Sequence, residues 1–347
     1  MYKPRTDEGA NASLQENFAY IMERWKSAVG RLQEIKRALS VHEHQLVRYA
    51  ELFRSTEELA RFLLVDEQNI MKTIRVNTLL TGKDELKLRL SSKGVKVEDY
   101  RYLDYGLVVT SSPYPIGALH EYLLGLFTIQ GPASMLVVPA LRPEDFPRGR
   151  IIDMCAGAGI KTTQIAQHAP KSRIVAVDVN RRKLLALKNN TSRMAVFNVV
   201  AVHMDARLLP SFYRGKIDAV LLDAPCSGEG LLPFPRARRP RTFKDILGRV
   251  ALQLELLKAG LDLLRDGGVL VYATCSLSVE ENEYVITRVL EAVDNVEVED
   301  LSIPGLPGVQ RYGLLQLDPR VSRCRRLYPH IHGTEGFTIC RLAKTRR

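Results

Sequence analysis

The 347-residue sequence lacks an apolar run that could cross a membrane. Its longest apolar stretch, residues 116–141, is broken by polar, charged, glycine and proline residues: His120, Glu121, Gln130, Gly131, Pro132 and Pro139. The first residues place Lys3, Arg5 and Asp7 before any apolar run, so the charged-then-apolar order of a secretory signal is missing. We therefore expect a cytoplasmic protein.

Cysteine is also scarce. The five cysteines are an odd number without metal-type spacing, which argues against both a disulfide framework and a zinc site. We expect Cys155, Cys324 and Cys340 to pack as small apolar side chains. His330 and His332 lie close together without other candidate ligands, so no metal is predicted.

Acidic residues are outnumbered. Fifty Lys and Arg stand against 39 Asp and Glu, and the net charge of +11 favours an anionic partner, either nucleic acid or a membrane surface. Residues 236–244 form a run with five positive charges and no acidic residue. We expect this run to contact a phosphate backbone.

No internal repeat is visible, and the apolar pattern changes along the chain. Residues 11–39 and a stretch ending at about Phe62 have helical spacing. A small α/β module follows, with predicted strands at 72–78, 95–102 and 107–109 and a helix at 84–92. Turn residues cluster at 111–115, so we predict an N-terminal helical and α/β region at 1–112 and a main domain at 113–347.

After residue 150, apolar strands alternate with amphipathic helices, which predicts a doubly wound parallel sheet. The predicted strands are 151–153, 174–178, 199–202, 219–223, 269–274 and 337–342, and the helices begin at Thr162 or span 183–193 and 250–264. Ligands of such folds bind at the carboxyl ends of the strands. The polar residues at or just after these ends are Asp153, Asp178, Asp205, Asp223 and Cys275.

A glycine-containing turn between the first of these strands and its helix is the candidate cofactor loop. It consists of Cys155, Ala156, Gly157, Ala158, Gly159, Ile160 and Lys161. Its backbone N–H groups can face a ligand, and Asp178 at the end of the next strand can accept hydrogen bonds from ribose hydroxyls. This pairing fits a nicotinamide dinucleotide or S-adenosyl-L-methionine, and a bare structural turn is the alternative. The third glycine of a dinucleotide site is absent, which favours S-adenosyl-L-methionine.

Two cysteines lie in polar motifs after strands. Asp223-Ala224-Pro225-Cys226 offers a carboxylate that can orient a substrate nitrogen, and Cys275 lies in Ala273-Thr274-Cys275-Ser276. Methyltransferases that act on exocyclic amines usually have Asn or Asp, two prolines and an aromatic residue there, so Cys226 indicates attack on carbon. A thiolate that adds to C6 of cytosine would activate C5. We expect Glu280–Glu283 to cap the next helix.

Together these stretches resemble the Sun/Fmu (NOP/Sun-type) family of S-adenosylmethionine-dependent RNA cytosine-C5 methyltransferases. The resemblance covers about residues 70 to 342 and includes both cysteine motifs. Its matching segments are 75–78, 129–135, 153–163, 178–180, 205–207, the motifs around Asp223 and Cys275, 281–283 and 328–337. It implies a Rossmann-like class I methyltransferase domain behind a smaller N-terminal RNA-binding region.

The resemblance also implies roles for single residues. Cys275 would attack C6, Asp223 would contact N3 of the base, and Cys226 would assist release of the product. Cofactor contacts would come from the loop 155–161 and from Asp178, Lys183, Asp205 and Asp223. The substrate would be tRNA or rRNA, with the target base out of its stack, and the protein would act as a monomer without a membrane partner.

The loop departs from the family pattern. Gly157, Ala158 and Ile160 stand where the family commonly has Ala, Pro and Gly. This departure leaves a second hypothesis open, an RNA-binding or ribosome-assembly factor with a degenerate cofactor site. A third hypothesis is methylation of uracil C5, which uses similar thiol chemistry.

Overall fold

The computed structural model describes residues 8–30, 42–234 and 242–346, and of 8–10 and 28–30 only the backbone. Residues 236–241 of the arginine-rich run lie outside these ranges, so the phosphate contact stays a prediction. The strands are β1 Thr73–Val76, β2 Lys96–Asp99, β3 Gly106–Ser111, β4 Phe127–Ile129, β5 Arg150–Asp153, β6 Arg173–Asp178, β7 Val199–His203, β8 Ile217–Asp223, β9 Leu264–Thr274, β10 Val296–Glu299, β11 Leu306–Pro307, β12 Arg311–Tyr312, β13 Leu315–Gln316, β14 Arg325–Leu327 and β15 Phe337–Lys344.

Each segment predicted as helical within the described ranges contains a helix, and the structure adds short helices that were not predicted. The helices are α1 Glu8–Gly30, α2 Glu43–Phe53, α3 Thr56–Leu63, α4 Lys83–Ser91, α5 His120–Leu123, α6 Pro132–Met135, α7 Val137–Leu141, α8 Ile160–His168, α9 Arg181–Arg193, α10 Pro210–Tyr213, α11 Phe243–Leu263, α12 Val285–Ala292 and α13 Pro329–His332. A single π-helical turn, Glu280–Tyr284, precedes α12. None of the helices in the described ranges is long and apolar enough to cross a membrane.

The main sheet has the strand order β11-β14-β15-β9-β8-β5-β6-β7, with β10 also paired to β15. Strands β5 to β9 pair in parallel, which confirms the doubly wound fold. The late strand β15 is antiparallel to both β9 and β14, so the sheet is mixed at this side. Only the four-residue helix α13 lies between β14 and β15, since antiparallel neighbours need no long crossover connection.

Alternation along the strands buries both faces of this sheet. Ile152, Val220 and Tyr272 belong to the apolar core on one face, with α11 and α12. Ile151 and Leu221 belong to the core on the other face, with α6, α7 and α8. The sheet is therefore covered on both sides, and polar side chains collect at the ends of its strands.

Helices α1 to α3 pack into the first of these cores. Leu14, Ile21, Leu46 and Phe62 are all buried there. Helix α1 was predicted to continue to residue 39, and residues 31–41 lie outside the described ranges. These helices thus belong to the same apolar core as the main sheet.

The small α/β module has a separate core. Strands β2-β3-β1-β4 form an antiparallel sheet against α4, around buried Ile74, Leu86 and Phe127. Strand β4 lies after the predicted boundary at residues 112 and 113, so this sheet takes one strand from beyond it. The boundary itself stays a prediction.

The expectation that the cysteines form no disulfide was wrong for one pair. Cys324 and Cys340 are disulfide-bonded and fully buried. Strands β14 and β15 are neighbours, which brings these residues together although sequence spacing gave no sign of it. The apolar environment expected for both is present. Cys155, Cys226 and Cys275 are free thiols.

Candidate active site

A cleft of about 900 Å³ lies at the carboxyl ends of β5, β6, β8 and β9. Strand order reverses between β5 and β8, the position where doubly wound sheets bind ligands. The predicted strand-end residues all line this cleft: Asp153, Asp178, Asp205, Asp223 and Cys275. Parallel strands present their ends at one edge, which is why residues far apart in sequence meet here.

The carboxylate of Asp178 holds the candidate cofactor loop. Its Oδ2 accepts a hydrogen bond from the backbone N–H of Gly157 at 2.9 Å, and its Oδ1 accepts one from Asn180 N at 2.7 Å. Each oxygen keeps a second lone pair for a ligand hydroxyl. Asn180 also caps α9 by accepting from the backbone N–H of Lys183 at 3.2 Å, and Lys183 lines the cleft.

Two glycines of the loop have different surroundings. Gly157 has φ +56, and a Cβ there would meet no atom within 4 Å. Gly159 has φ +79, and a Cβ there would lie 2.6 Å from Cγ of Leu187 on α9. Gly159 was predicted to bind the cofactor, but it packs against α9 and is not part of the cleft wall. The other loop residues, 155–158, 160 and 161, line the cleft.

Asp153 is a buried carboxyl at the base of the cleft. Its Oδ2 accepts from Thr162 Oγ1 at 2.7 Å, and its Oδ1 has no hydrogen-bond partner among the described residues. Burial raises the pKa of Asp153 to about 7, with the charge of Asp223 adding to the effect and the hydrogen bond from Thr162 opposing it. The unpartnered oxygen is an acceptor available to a cationic or amino group of a ligand.

Lys161 and Asp223 form an ion pair across the cleft. Lys161 Nζ lies 2.7 Å from Asp223 Oδ2. Burial lowers the pKa of Lys161, but the charge and hydrogen bond of Asp223 raise it more, so the net shift is upward and the side chain stays cationic. A thiolate at Cys275 would also interact favourably with this ammonium group. The sequence placed Lys161 in the cofactor loop and gave no sign of its pairing with Asp223.

Asp205 lines the opposite part of the cleft beside a cation. Arg207 donates to both oxygens of Asp205, with Nη2 2.5 Å from Oδ2, and it also pairs with Glu255 on α11. The hydrogen bonds of Arg207 lower the pKa of Asp205. Arg207 and Arg249 line the cleft as well, so its lining contains both cations and carboxylates.

The two motif cysteines meet in the cleft. Cys226 Sγ and Cys275 Sγ are 3.2 Å apart, although 49 residues separate them in sequence. The contact with Cys275 and, second, burial raise the pKa of the Cys226 thiol, so Cys226 keeps its proton at neutral pH. Burial also raises the pKa of Cys155, whose side chain packs against the core as expected and lines the cleft.

The acidic run 280–283 does not cap a helix, contrary to prediction. Glu280, Glu281, Asn282 and Glu283 are all buried. Glu280 pairs with Arg48 of α2 at 2.8 Å, and Glu283 pairs with Arg326 of β14 at 2.6 Å. No feature of the sequence distinguished the two cases. An acidic run after a strand has the same residue pattern whether it caps a helix in solvent or pairs with buried cations.

Asn282 fixes the segment that follows Cys275. Its Nδ2 donates to the carbonyl oxygens of Ser276 at 3.0 Å and Ser278 at 2.6 Å, and its Oδ1 accepts from Thr274 Oγ1 at 2.6 Å. The backbone on both sides of Cys275 is therefore tied to the π-helical turn.

The described ranges contain no group of three His, Cys, Asp or Glu side chains placed to hold a metal ion. His330 contacts Glu58 of α3 through Nε2 at 3.1 Å. His332 accepts from the backbone N–H of Tyr328 at 2.9 Å. Both histidines are therefore engaged in contacts within the protein.

Comparison with known proteins identifies relatives of this chain. The family described as 16S rRNA methyltransferase RsmB/F matches residues 138–343. The human 28S rRNA (cytosine(4447)-C(5))-methyltransferase is 36% identical over 343 residues, which cover 95% of this chain and 42% of that protein. Ribosomal RNA small subunit methyltransferase F of Citrobacter koseri is 34% identical over 310 residues, covering 86% and 62%. The chain thus spans less than two thirds of the length of these curated relatives.

Two solved structures share the fold. A methyltransferase homolog protein from Pyrococcus horikoshii superposes with a TM-score of 0.80 at 34% identity, covering 90% of this chain and 98% of that one. NSun6 from the same organism, solved with SFG, an analogue of S-adenosylmethionine, superposes with a TM-score of 0.71 at 26% identity, covering 86% and 97%.

Proposed function

Because the chain belongs to the RsmB/F family of 16S rRNA methyltransferases, we propose that it transfers a methyl group from S-adenosylmethionine to C5 of a cytidine in rRNA. The observation that carries the proposal is the pair of thiols 3.2 Å apart beside the Asp223 carboxylate. The names of the relatives favour rRNA over tRNA as the substrate class. They also favour cytosine over uracil as the target base.

The residues of the cleft suit this cofactor. Asp178 keeps lone pairs for the ribose hydroxyls, and the unpartnered oxygen of Asp153 can accept from the amino group of the methionine part. Gly157 leaves open space beside the loop, and Lys183 and Asp205 stand on the same wall. When bound, S-adenosylmethionine supplies the electrophilic methyl group that C5 takes.

Cys275 is the proposed nucleophile. Its thiolate adds to C6 of the cytosine, which moves electron density to C5 and makes that carbon nucleophilic. Asp223, held by Lys161, contacts the base at N3. After C5 is methylated, solvent water takes the proton from C5, the electron pair of that bond restores the C5=C6 double bond, and the bond between C6 and Sγ breaks with its electrons returning to the Cys275 thiolate. Cys226, which keeps its proton, assists this release.

RNA would reach the cleft past the small α/β module. Ile129 of β4 is half-exposed and lines the cleft, so the module borders the entrance. The cations Lys183 and Arg249 on the cleft wall can meet phosphates. The target base must leave its stack to reach two thiols in a recessed site. RNA binding by the N-terminal region remains part of this proposal.

Methyl transfer from labelled S-adenosylmethionine to rRNA and tRNA transcripts, followed by nucleoside analysis, tests the proposal. We expect 5-methylcytidine in rRNA, no product with Cys275→Ala or the isosteric Cys275→Ser, and a protein–RNA adduct that survives denaturation with Cys226→Ala. Unchanged activity of Cys275→Ser would refute the mechanism. Binding of RNA without any turnover would instead support the RNA-binding or assembly factor, and 5-methyluridine would support a uracil enzyme.

A further inference from the structure

One buried carboxylate connects the two cysteine loops. Ser227 directly follows Cys226, and Ser276 directly follows Cys275. Glu281 accepts from Ser227 Oγ at 2.5 Å and from Ser276 Oγ at 2.6 Å, both at Oε2. Its Oε1 accepts from the backbone N–H of Ser227 at 2.7 Å. The same side chain therefore bonds to the residue after each thiol.

Glu281 is itself held in place. It is fully buried, and its backbone oxygen accepts from Tyr272 OH on β9 at 2.6 Å. Gln253 of α11 donates to Oε1 at 3.2 Å and to the carbonyl of Pro225 at 2.9 Å, which adds a second tie to the Cys226 loop. The carboxylate is thus a fixed point between a strand, a helix and both loops.

The two cysteine loops depend on side-chain contacts such as those of Glu281, because both loops lie outside the hydrogen-bonded strands. Residues 224–228 follow the end of β8, and 275–278 follow the end of β9, both without regular secondary structure. The two serine hydroxyls also lie 3.1 Å from each other. Loss of the carboxylate would leave Ser227 N–H buried without its acceptor and would remove the side chain that links the two loops to each other.

We propose that Glu281 is a positioning residue that sets the separation of Cys226 Sγ and Cys275 Sγ through Ser227 and Ser276. This inference rests on the proposed function, in which these two thiols are the reacting groups. Glu281 does not line the cleft, and its carboxylate contacts protein donors, so it acts through the serines and not on the substrate. Misplacement of a reacting group by about 1 Å can cost on the order of 100-fold in rate.

The main test is Glu281→Gln, which keeps the shape but replaces one acceptor oxygen with a donor. We expect kcat to fall by about 100-fold while KM for RNA and for S-adenosylmethionine changes little, since the cleft wall is untouched. Glu291→Gln is the matched control, because Glu291 is an exposed glutamate on the following helix α12. That variant should keep the wild-type kcat.

A chemical readout measures thiol separation without turnover. Diamide oxidises two adjacent thiols to a disulfide and is itself reduced to the hydrazine. Peptide mass spectrometry then gives the rate at which Cys226 links to Cys275. Wild-type protein and Glu291→Gln should cross-link at the same rate, and Glu281→Gln should cross-link at least several-fold more slowly.

Ser227→Ala and Ser276→Ala make the test independent of the stability of Glu281→Gln. Each variant removes one hydroxyl that donates to Glu281. When either is combined with Glu281→Gln, the loss in ln kcat should be smaller than the sum of the losses in the two single variants. Wild-type cross-linking together with wild-type kcat in Glu281→Gln, or full additivity with the serine variants, would overturn the inference. Failure of the proposed function is distinguishable, because it would appear as an active Cys275→Ser protein whatever the cross-linking rate.

Discussion

The two segments that precede the main domain are attached to it in different ways. Helices α1 to α3 bury apolar side chains in the same core as the main sheet, as Ile21 and Leu46 do. The small α/β module has its own apolar core, but its Tyr100 is buried in the second core of the main sheet, and the module also meets the main domain through polar contacts. Arg75 is the clearest of these, with Nη1 2.9 Å from the carbonyl oxygen of Ile160 and Nη2 2.8 Å from Thr163 Oγ1.

This difference separates two roles within the N-terminal region. The helices also supply Arg48, whose guanidinium pairs with Glu229 after the Cys226 loop and with Glu280 before Glu281. They therefore pack as part of the main domain. The module reaches the start of α8, directly after the cofactor loop, and borders the cleft. It therefore contacts both the end of the candidate cofactor loop and the cleft.

The largest expected effect is that of Arg48→Met. Burial alone would raise the pKa of Glu280, but the charge of Arg48 lowers it below its ordinary value. Removal of the cation leaves two buried carboxylates without a counter-charge, and we expect a loss of about 3–5 kcal/mol in the free energy of unfolding. Denaturant unfolding measures this loss.

Arg24→Met is the matched control for Arg48→Met. Arg24 lies on α1 and pairs with Glu51, but its side chain is 47% exposed. Glu51 keeps its hydrogen bond from Trp25 Nε1, so this variant should change stability by less than about 1 kcal/mol. Equal effects of the two variants would show that the helices are attached to the domain more loosely than their buried contacts indicate.

Asp153→Asn should give a pH-dependent effect that approaches the size of that of Arg48→Met only near pH 7 and above. Because the folded protein raises the pKa of Asp153 from 3.8 to about 7, ionisation of this carboxyl opposes folding as pH rises between these values. The variant should gain about 1.4 kcal/mol relative to wild type for each pH unit from about 4 to 7, and the gain should be constant above that range.

Unfolding followed by hydrogen exchange between pH 4 and 8 measures the effect of Asp153→Asn. The added stability should slow the amide hydrogen exchange of α1 and α2, which share the core of the main domain, more than that of the small α/β module. A gain that did not vary with pH would contradict the assigned pKa. Equal changes in both segments would contradict the separation of their cores.

Arg75→Met should change the affinity for the cofactor. Loss of its hydrogen bonds to Ile160 and Thr163 loosens the end of the loop, so the Kd for S-adenosylhomocysteine should rise by about 10-fold in calorimetric titration. Arg75→Lys keeps the positive charge but lacks the planar guanidinium group that donates to both Ile160 and Thr163, so it should give a similar rise in Kd. Arg101→Met, on an exposed side chain of the module, should leave Kd unchanged. An unchanged Kd in Arg75→Met would show that the module does not support the cofactor site.

The spacing of apolar residues predicted the parallel strands and the edge of the sheet at which the cleft lies. The apolar runs that end in Asp153, Asp178 and Asp223 have the period of buried strands, and parallel strands must present these ends at one edge. The antiparallel direction of β15 was not predictable, because direction depends on which edge of the sheet is free when the strand is added.

The sequence by itself determined the type of fold and the two thiol motifs, since each is a local pattern of residue types, and the role of residues 155–161 in cofactor binding stays a prediction. Only the tertiary structure decided what meets across long separations: the 3.2 Å contact of Cys226 with Cys275, the disulfide of Cys324 with Cys340 and the burial of Glu281. The physical reason is that a glutamate after a strand has the same sequence pattern whether it faces water or a pair of buried hydroxyls. Its partners are chosen by packing of the sheet and helices, and periodicity carries no information about them.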